Sequence, residues 1–380
     1  MVADSVRTNA YQRALQSVVT RDSVVADIGA GPGIFTLFAC NLGARRVYAI
    51  EPDDVIQIVA ELAAAHDYAN RVQIIQALST RTELPELADI LVSDIRGVLP
   101  WFSGHIPSII DARDRLLRPT GILIPQADIV SIAVVESEAI YTRRTSPWHA
   151  DSLGVDLSPL NARLKHAWSR VSVAPTELIT PAAVLSVLDY RTIDKANVDE
   201  RVVLRPHRAG VGHGLLMWFD TCLTGDIGYS NAPGAPELIY GQAFFPWDHP
   251  IAISPNDEVH VRIRARLIGQ DYVWTWDTRV AGTGASDNVR ESFSQSSFQA
   301  EVYSPTRLGK MHQDFLPNLN LDGKLCLSAL QMMNAGVRLL DIARHILTEY
   351  PMRFTDLRSA LGYVADLSKT YSGPGQSGPG

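Results

Sequence analysis

The first third of the chain alternates apolar runs with amphipathic stretches. Four runs have the length and aliphatic content of buried strands: VVADIGA, RVYAIEP, RVQIIQA and ADILVSD, starting at residues 24, 46, 71 and 88. Around them, VIQIVAELAAAHDYA and SIIDARDRLL have helical spacing. Because strands that alternate with helices need crossover connections, the pattern predicts an α/β Rossmann-like domain with a parallel sheet over residues 1–126.

The middle of the chain changes to a period of two, which is typical of half-buried strands. Apolar residues at 259, 261, 263, 265 and 267 alternate with His260, Arg262, Arg264 and Arg266. Similar strands at 214–223 and 271–280 are separated by breaks such as SNAPGAP. We therefore expect an antiparallel β-barrel domain over residues 127–305. The three arginines fit a solvated strand face, and contact with an anionic partner is the alternative.

The C-terminal part turns helical, and residues 310–370 are predicted to form a small helical module. Its apolar residues follow i, i+3, i+4, i+7 spacing at Leu339, Ile342, Ala343, Ile346 and Leu347. A further helix is expected after Thr355, a suitable N-cap. Residues 371–380 (YSGPGQSGPG) are of low complexity and are predicted to be a disordered tail.

Composition and charge exclude several classes of protein. The 380 residues carry a formal net charge of −7, which argues against a dedicated nucleic-acid-binding protein. The three cysteines lie far apart, without a CxxC pair or a Cys/His cluster, so we expect neither a disulfide framework nor a metal site. No apolar run approaches the ~18 residues of a membrane span, and the first residues lack a signal-peptide layout. These features predict a cytoplasmic protein.

Three glycines at alternate positions, Gly29, Gly31 and Gly33, separate the first predicted strand from a helix starting at Ile34. Glycine there permits positive φ and leaves no Cβ in the way, so a cofactor can lie against the backbone. Nucleotide dehydrogenases, flavoproteins and methyltransferases all use such turns, and a tight turn without a ligand is a further alternative. Glu51 ends the second predicted strand, where an acidic residue meets ribose hydroxyls. The Gly-x-Gly-x-Gly spacing favours an adenosyl cofactor without a pyrophosphate.

Residues 4–51 resemble the S-adenosylmethionine-binding half of the protein arginine methyltransferases. The resemblance is carried by VRTNAY at 6–11, DIGAGPGI at 27–34 and GARRVYAIE at 43–51. It continues in the family's order with ELP at 83–85, ARD at 112–114, GILIP at 121–125, WFD at 218–220 and GYSNAP at 228–233. The resemblance covers roughly residues 1–270 and implies a class I S-adenosylmethionine-dependent methyltransferase, with a Rossmann-like domain followed by a β-barrel.

The same resemblance implies S-adenosyl-L-methionine as the cofactor and S-adenosyl-L-homocysteine as its product. The cofactor-binding positions that it implies are Arg7, Asp27, Gly29, Ala30, Gly31, Gly33, Ile34, Glu51, Pro52, Ser79, Thr80 and Ser93. Arg7 would pair with the methionine carboxylate of the cofactor, a contact that suits the guanidinium fork. Asp27 would orient the glycine turn, and Glu51 would bind the ribose. Ser79 and Thr80 fall where the family contacts the adenine.

The loop after the fourth predicted strand departs from the family pattern. Arginine methyltransferases hold the substrate guanidinium between two glutamates on this loop, which here reads SDIRGVLPWFSGH at 93–105. Asp94 takes the place of the first glutamate, Ser103 takes that of the second, and Arg96 enters between them. The family's Thr-His-Trp loop is replaced by LIY at 238–240. A substrate guanidinium would meet one carboxylate and a competing arginine, so the two-point clamp is lost.

Three residues of this loop are the catalytic candidates. Asp94 would hydrogen-bond to, or accept a proton from, an N–H or O–H nucleophile. His105 would act as a base if it turns into the pocket, the alternative being a helix-cap or surface histidine. Arg96 would bind a carboxylate or phosphate of the substrate, the alternative being a salt-bridged structural arginine.

Two further segments bear on partners. Residues 148–170 resemble the family's dimerisation arm, so we expect a homodimer in which the arm of one subunit packs on the cofactor domain of the next. A monomer with the arm folded back is the alternative. The helical module faintly resembles the winged-helix domains that grip leader peptides in peptide-derived natural product pathways; a packing module is the alternative.

The sequence therefore predicts an S-adenosylmethionine-dependent methyltransferase whose acceptor is a nitrogen or oxygen of a peptide or small natural product. N-methylation of protein or free arginine is one alternative. A catalytically inactive scaffold or peptide-binding module is another, and retention of Arg7, Gly29, Gly31 and Glu51 argues against it. Neither a membrane nor a nucleic acid is expected as a partner.

Overall fold

The computed structural model describes residues 3–147, 154–282 and 289–373. The chain divides into two compact units, Met1–Val302 and Tyr303–Gly380. The first unit contains a parallel sheet and two antiparallel sheets. Of the predicted tail at 371–380, residues 374–380 lie outside the described part of the chain.

A five-stranded parallel sheet forms the first part of the first unit. Its strands are β1 Val24–Ile28, β2 Arg46–Ile50, β3 Val72–Ile75, β4 Ala88–Ser93 and β5 Leu117–Ile124, in the order β3-β2-β1-β4-β5. The accompanying helices are α1 Ser5–Val18, α2 Ile34–Asn41, α3 Gln57–Ala65 and α4 His105–Arg115, with short 3-10 helices at Asp54–Ile56 and Ser79–Arg81. The predicted Rossmann-like α/β fold is confirmed.

The strand order reverses between β1 and β4, and this reversal positions the site. β1 pairs in parallel with both β2 and β4, and all five of its residues are buried. Burial on both faces explains why this strand is almost continuously apolar in sequence. In open α/β sheets, ligands bind outside the carboxyl ends of the strands at such a reversal. The segments that follow β1, β2 and β4 therefore meet at one edge.

Two antiparallel sheets form the second part of the first unit. One contains β6 Ala127–Val135, β7 Ser169–Val171, β8 Ala183–Asp189, β10 Gly210–Thr224 and β12 Gln242–Ile253, in the order β7-β12-β10-β6-β8, with β11 Ile227–Ser230 paired to β10. The other contains β9 Val198–Leu204, β13 Asp257–Ile268, β14 Asp271–Gly282 and β15 Val289–Ser296, in the order β15-β14-β13-β9. This arrangement agrees with the antiparallel barrel-like domain expected after the Rossmann-like sheet.

The strand with period-two sequence is β13. Its odd-numbered residues from 259 to 265 are buried, and its even-numbered residues from 258 to 266 are half-buried or exposed. The arginines at 262 and 264 form ion pairs with Asp199 and Asp277 on the two neighbouring strands. The side of β13 away from the core is therefore the solvated, charged face that the alternation indicates.

The predicted arm at 148–170 begins with residues 148–153, which lie outside the described part of the chain. It lies between α5 Glu138–Thr145 and β7, and it contains α6 Ser158–Leu164. Arg163 of α6 donates to the carbonyls of Gln299 and Glu301, at 3.3 and 3.1 Å. Gln299 lies in α7 Ser297–Ala300. These contacts hold α6 to the end of the barrel domain, and its role in assembly remains a prediction.

The second unit is helical over residues 303–373. Its helices are α8 Pro305–Gly309, α9 Leu321–Asn334, α10 Leu339–Glu349 and α11 Leu357–Tyr371. Its core consists of Leu325, Ala329, Ile342, Ala343, Ile346, Phe354, Ala360 and Val364. None of the helices in the described ranges of the chain combines the length and apolar character of a membrane span.

Two expectations for this unit are corrected. The N-cap of α11 is Asp356 rather than Thr355, because the Asp356 carboxylate accepts the amide of Ser359 at 2.8 Å. The described residues of the unit contain no strand, so the β-hairpin wing of a winged-helix domain is absent there. The connections at 335–338 and 350–356 are too short to form that hairpin.

Candidate active site

The turn after β1 has a left-handed backbone at all three predicted glycines. The φ angle is +71° at Gly29, +51° at Gly31 and +83° at Gly33, a region that residues with a Cβ rarely adopt. The amides of Gly29 and Ala30 donate to the carbonyl of Ile50, at 2.9 and 3.1 Å. These hydrogen bonds fix the turn against the end of β2.

The surroundings of the three glycines differ. A Cβ at Gly29 would lie 2.2 Å from Ile95 Cγ2, and a Cβ at Gly33 would lie 2.7 Å from Val59 Cγ2. A Cβ at Gly31 would meet no atom within 4 Å. Packing therefore requires glycine at 29 and 33, whereas Gly31 borders open space. This open cradle fits an adenosyl group lying against the backbone.

Asp27 holds the glycine turn to α2, which begins at Ile34 as predicted. The Asp27 carboxylate accepts the amide and the hydroxyl of Thr36, at 2.9 and 2.7 Å. Burial raises the pKa of Asp27 to about 7, although the hydrogen bonds from Thr36 lower it. A residue that orients the glycine turn, the role predicted for Asp27, would make such a contact.

Glu51 lies beside the open cradle. Its Oε2 accepts the amide of Gly31 at 3.1 Å, and its Oε1 accepts the amide of Asp53 at 3.0 Å. Glu51 is half-buried and Pro52 is exposed. A carboxylate held by two backbone amides at the end of β2 is well placed to accept hydrogen bonds from ribose hydroxyls.

The other predicted cofactor residues lie after β3 and at the end of β4. Ser93 is buried, and its hydroxyl donates to the carbonyl of Ile28 at 3.0 Å, which joins β4 to β1. Ser79 is buried at the start of a 3-10 helix, and Thr80 is exposed. Contact of Ser79 or Thr80 with an adenine remains a prediction.

Asp94 directly follows β4 and is only 8% exposed. The buried Arg7 guanidinium on α1 forms an ion pair with it, and Nε of Arg96 lies 3.4 Å from its Oδ1. The hydroxyl of Tyr240 donates to both carboxylate oxygens, at 2.7 and 2.8 Å. Burial lowers the pKa of Arg7, but Asp94 raises it, and the net shift is upward. Two guanidinium groups thus flank the predicted catalytic carboxylate.

Arg96 links this loop to the barrel. It forms an ion pair with the fully buried Asp128 of β6 and donates to the hydroxyl of Thr221 on β10. Burial lowers the pKa of Arg96, but Asp128 and its neighbours raise it well above its usual value. Arg96 thus has the buried salt bridge of the alternative interpretation, and binding of a substrate anion by it remains a prediction.

His105 is the first residue of α4 and is 1% exposed. Its Nε2 lies 3.0 Å from the hydroxyl of Tyr190, which donates to Asp128 at 2.6 Å. Burial, and secondarily the positive charge of Arg96, lowers the pKa of His105 to about 3. Neither the predicted pocket base nor a surface histidine agrees with this position, because the neutral imidazole is enclosed in a hydrogen-bonded network.

Sequence reasoning missed the partners in this network: Tyr11, Asp128, Tyr190, Thr221 and Tyr240. The Tyr11 hydroxyl donates to the carbonyl of Ser93 at 2.9 Å, and its ring stacks on Phe35 at 4.3 Å between centroids. Asp128 gave one usable signal, a carboxylate within the otherwise apolar run of β6. Tyr240 gave another, since it lies in the segment that replaces the Thr-His-Trp loop.

Among the described residues, no group of three or more His, Cys, Asp or Glu side chains could hold a metal ion. Ser103, in place of the second family glutamate, has a left-handed backbone with φ +40° and is half-buried. Of the two loop positions compared with the family's glutamates, 94 and 103, only Asp94 therefore carries a carboxylate.

Two family models match adjoining parts of the chain. The ribosomal protein L11 methyltransferase model matches residues 8–144, and the arginine methyltransferase oligomerization subdomain model matches residues 126–276. Protein arginine N-methyltransferase 6 of Xenopus tropicalis is 28% identical over 274 residues, which cover 68% of this chain and 80% of that protein. Histone-arginine methyltransferase CARMER of Drosophila ananassae is 28% identical over 74% of this chain and 56% of its own length.

Solved structures share the fold. A Trypanosoma brucei PRMT1 enzyme-prozyme heterotetrameric complex with AdoHcy superposes with a TM-score of 0.70 at 21% identity, over 78% of this chain and 96% of that one. Arabidopsis thaliana protein arginine methyltransferase 10 gives 0.67 at 23% identity, over 78% and 95%.

The fold, the glycine turn and these matches define the chain as a class I S-adenosylmethionine-dependent methyltransferase. Within this class it resembles the protein arginine methyltransferases, and it shares with their solved structures the fold in which a Rossmann-like sheet precedes a barrel-like part. The expectation of an S-adenosylmethionine-dependent enzyme is confirmed. The positions that separate it from the arginine methyltransferase pattern are Asp94, Arg96, Ser103 and Tyr240.

Proposed function

We propose that this methyltransferase transfers the methyl group of S-adenosylmethionine to an uncharged nitrogen or oxygen of a peptide or small natural product. The observation that carries the proposal is the surroundings of Asp94, whose carboxylate already faces Arg7 and Arg96. A cationic acceptor would add a further positive group at this carboxylate, beside Arg96 even when Arg7 turns to the cofactor. A neutral N–H or O–H group needs only a hydrogen-bond acceptor.

The charges of the buried cluster support a neutral acceptor. Arg7 and Arg96 carry two positive charges, and Asp94 and Asp128 carry two negative charges, so the cluster is balanced without a substrate. Ser103 adds a hydroxyl where a second carboxylate would complete a guanidinium clamp. Burying an unbalanced cation costs several kcal/mol, on the order that ion desolvation costs in proteins.

The cofactor supplies an electrophilic methyl group on a sulfonium when it is bound. The open cradle at Gly31 and the Glu51 carboxylate would hold its adenosyl part, and Arg7 would hold its carboxylate. Asp94 would then orient the acceptor by accepting its N–H or O–H hydrogen, with Tyr240 fixing the carboxylate in place. Transfer requires the acceptor lone pair about 3 Å from the methyl carbon and in line with the leaving group.

A second candidate function is N-methylation of arginine in a protein, a peptide or the free amino acid. It is favoured by the relatives, whose names describe arginine methyltransferases. Under this alternative, Asp94 alone would hold the guanidinium after Arg7 turns to the cofactor.

The proposal also includes the oligomeric state of the protein and its location in the cell. A homodimer formed through the arm is supported by the match of residues 126–276 to an oligomerization subdomain. A cytoplasmic location is supported by the sequence features that predicted it, and an acceptor of peptide or natural-product origin by the loss of the glutamate pair.

Labelled-methyl transfer tests the proposal. The purified chain is incubated with methyl-labelled cofactor and a panel of arginine-containing peptides, peptides with neutral acceptors, and amino acids. Mass spectrometry then localises the label. Label on neutral nitrogen or oxygen, with none on arginine, supports the proposal. Label confined to guanidinium nitrogens would establish the second candidate instead.

A further inference from the structure

The outer side of the sheet β15-β14-β13-β9 carries an excess of positive charge. Strand register places five arginines on this side, which we call the arginine face: Arg201, Arg262, Arg264, Arg266 and Arg279. Three carboxylates, Asp199, Asp277 and Glu258, share the face, so its formal charge is 5 − 3 = +2. Glu258 forms an ion pair with Arg205. The whole chain has a net charge of −7, so the face is a local reversal of sign.

Both aspartates of the arginine face are already paired. Asp199 accepts two hydrogen bonds of 2.6 Å from Arg262, and Asp277 accepts one of 2.8 Å from Arg264. Arg201 and Arg279 are exposed, and neither forms an ion pair or a side-chain hydrogen bond within residues 3–147, 154–282 and 289–373. Arg266 is likewise exposed and unpaired within these ranges, so three guanidinium groups are available on this face. Arg201 and Arg279 are the two that line a common groove.

One cross-strand pair in this register is unfavourable. Arg201 on β9 lies directly opposite Arg262 on β13, and like charges in directly opposite positions destabilise a sheet. An exposed site such as 201 accepts many residue types at no cost to the fold. A guanidinium in this position is thus better explained by an anionic ligand than by packing.

A groove of about 610 Å³ lies over the same residues. Its lining includes Arg201, Val203, His260, Arg262, Asp277 and Arg279. The two free guanidinium groups that line the groove are on β9 and β14, which flank β13, so their strands are separated by about 10 Å. A single phosphate or sulfate is too small to contact both. An extended peptide places same-side residues about 7 Å apart, so acidic side chains two to four positions apart can reach both.

We infer that the arginine face binds an acidic segment of a peptide partner in extended conformation, with its carboxylates against Arg201 and Arg279. The exposed Val203 adds apolar contact between the charges, which a peptide uses better than a nucleic acid does. The overall charge of −7 also disfavours a polyanionic nucleic acid. This surface lies on the barrel-like domain and does not depend on the identity of the methyl acceptor.

The test uses a fluorescein-labelled decapeptide of alternating Glu and Ala, titrated with the full chain by fluorescence anisotropy. The double variant R201Q/R279Q is compared with R13Q/R21Q, which removes two exposed arginines of the first 21 residues and changes the net charge equally. We expect R201Q/R279Q to bind the probe about ten-fold more weakly, as loss of two surface ion pairs allows, and R13Q/R21Q to bind like the wild type.

Three results would overturn the inference. These are no binding by the wild type at about 50 mM salt, equal weakening in both double variants, or tighter binding of a labelled RNA decamer than of the acidic peptide. Unchanged cofactor affinity of R201Q/R279Q in calorimetry shows that the variant is folded, so that weakened peptide binding reports on the arginine face itself.

Discussion

The hydroxyl of Tyr240 donates to both carboxylate oxygens of Asp94, at 2.7 Å to Oδ1 and 2.8 Å to Oδ2, across 146 positions of sequence. The segment 238–240 is where the arginine methyltransferases have their Thr-His-Trp loop. A neutral hydroxyl thus contacts the Asp94 carboxylate from the barrel-like part of the chain, while Arg7 contacts it from α1.

Tyr240→Phe removes this hydrogen bond and keeps the ring. We expect kcat/KM for methyl transfer to fall about ten- to hundred-fold, because a hydrogen bond to a charged group contributes about 1.5–3 kcal/mol. Cofactor affinity in calorimetry should change little. The matched control is Tyr229→Phe, since the Tyr229 ring stacks on that of Tyr240 at 6.3 Å and its hydroxyl contacts neither Asp94 oxygen within hydrogen-bond distance. Equal losses in both variants would contradict a specific role for Tyr240.

Asp94→Asn separates chemistry from cofactor binding. The amide keeps the shape but loses the charge, so we expect methyl transfer to fall by about a hundred-fold or more. Arg7 loses its ion pair with Asp94 and can still pair with the cofactor carboxylate, so cofactor affinity should stay within about three-fold of the wild type or increase. Asp226→Asn, in the exposed turn between β10 and β11, is the control carboxylate. A parallel loss of cofactor affinity and activity would mean that Asp94 is structural.

Alanine at Gly31 and at Gly33 should act differently. At Gly33 the new Cβ meets Val59, so we expect a loss of about 1–3 kcal/mol in the free energy of unfolding. At Gly31 the Cβ enters open space, so the protein should lose only about 1 kcal/mol from the left-handed backbone. Cofactor affinity should nevertheless fall about ten-fold or more for Gly31→Ala, because the methyl group occupies the cradle. Normal cofactor affinity of Gly31→Ala would place the ligand elsewhere.

We expect His105 to lower the unfolding free energy of the protein at acidic pH. Its pKa is lowered to about 3 in the folded protein, whereas an unfolded histidine titrates near pH 6.5. Between these values the unfolded chain binds one more proton, so the stability contributed by neutral His105 is present above pH 6.5 and is lost as the pH falls.

The control for this pH dependence is His105→Gln, which keeps a hydrogen-bonding group but does not titrate. Between pH 7.5 and 5.5, the wild type should lose about 1.4 kcal/mol more unfolding free energy than His105→Gln does. Denaturant titrations at the two pH values measure this difference. Identical pH dependence in the two proteins would show that His105 is protonated freely in the folded state.

The elements that the sequence predicted are those set by local pattern. Short apolar runs predicted the strands around residues 24, 46, 72 and 88. The glycine turn predicted the start of α2 at Ile34. Each of these signals spans only a few neighbouring positions. The period-two strand β13 follows from its own alternation. The N-cap of α11 was wrong by one residue, because Thr355 and Asp356 are both suitable caps and only the geometry selects Asp356.

The polar network was not predictable in the same way. Arg7 and Asp94 are 87 positions apart. Arg96 follows a strand of the parallel sheet, whereas its partner Asp128 lies in an antiparallel sheet. An arginine in a substrate loop has the same sequence signature whether it faces a ligand or a buried carboxylate. The path of the loop against the barrel decides which of these partners the arginine contacts. In this structure the loop buries both Arg96 and His105.

If an adenosyl ligand lies at Gly31 with its ribose at Glu51, calorimetric titration with S-adenosyl-L-homocysteine should detect it. We expect one site per chain with a Kd of about 1–100 μM. Glu51→Gln loses a charged acceptor, so this variant should bind the ligand at least about ten-fold more weakly. The control Glu61→Gln, on an exposed position of α3, should bind like the wild type. A flat titration of the wild type, or equal affinity of Glu51→Gln and the wild type, would contradict the account.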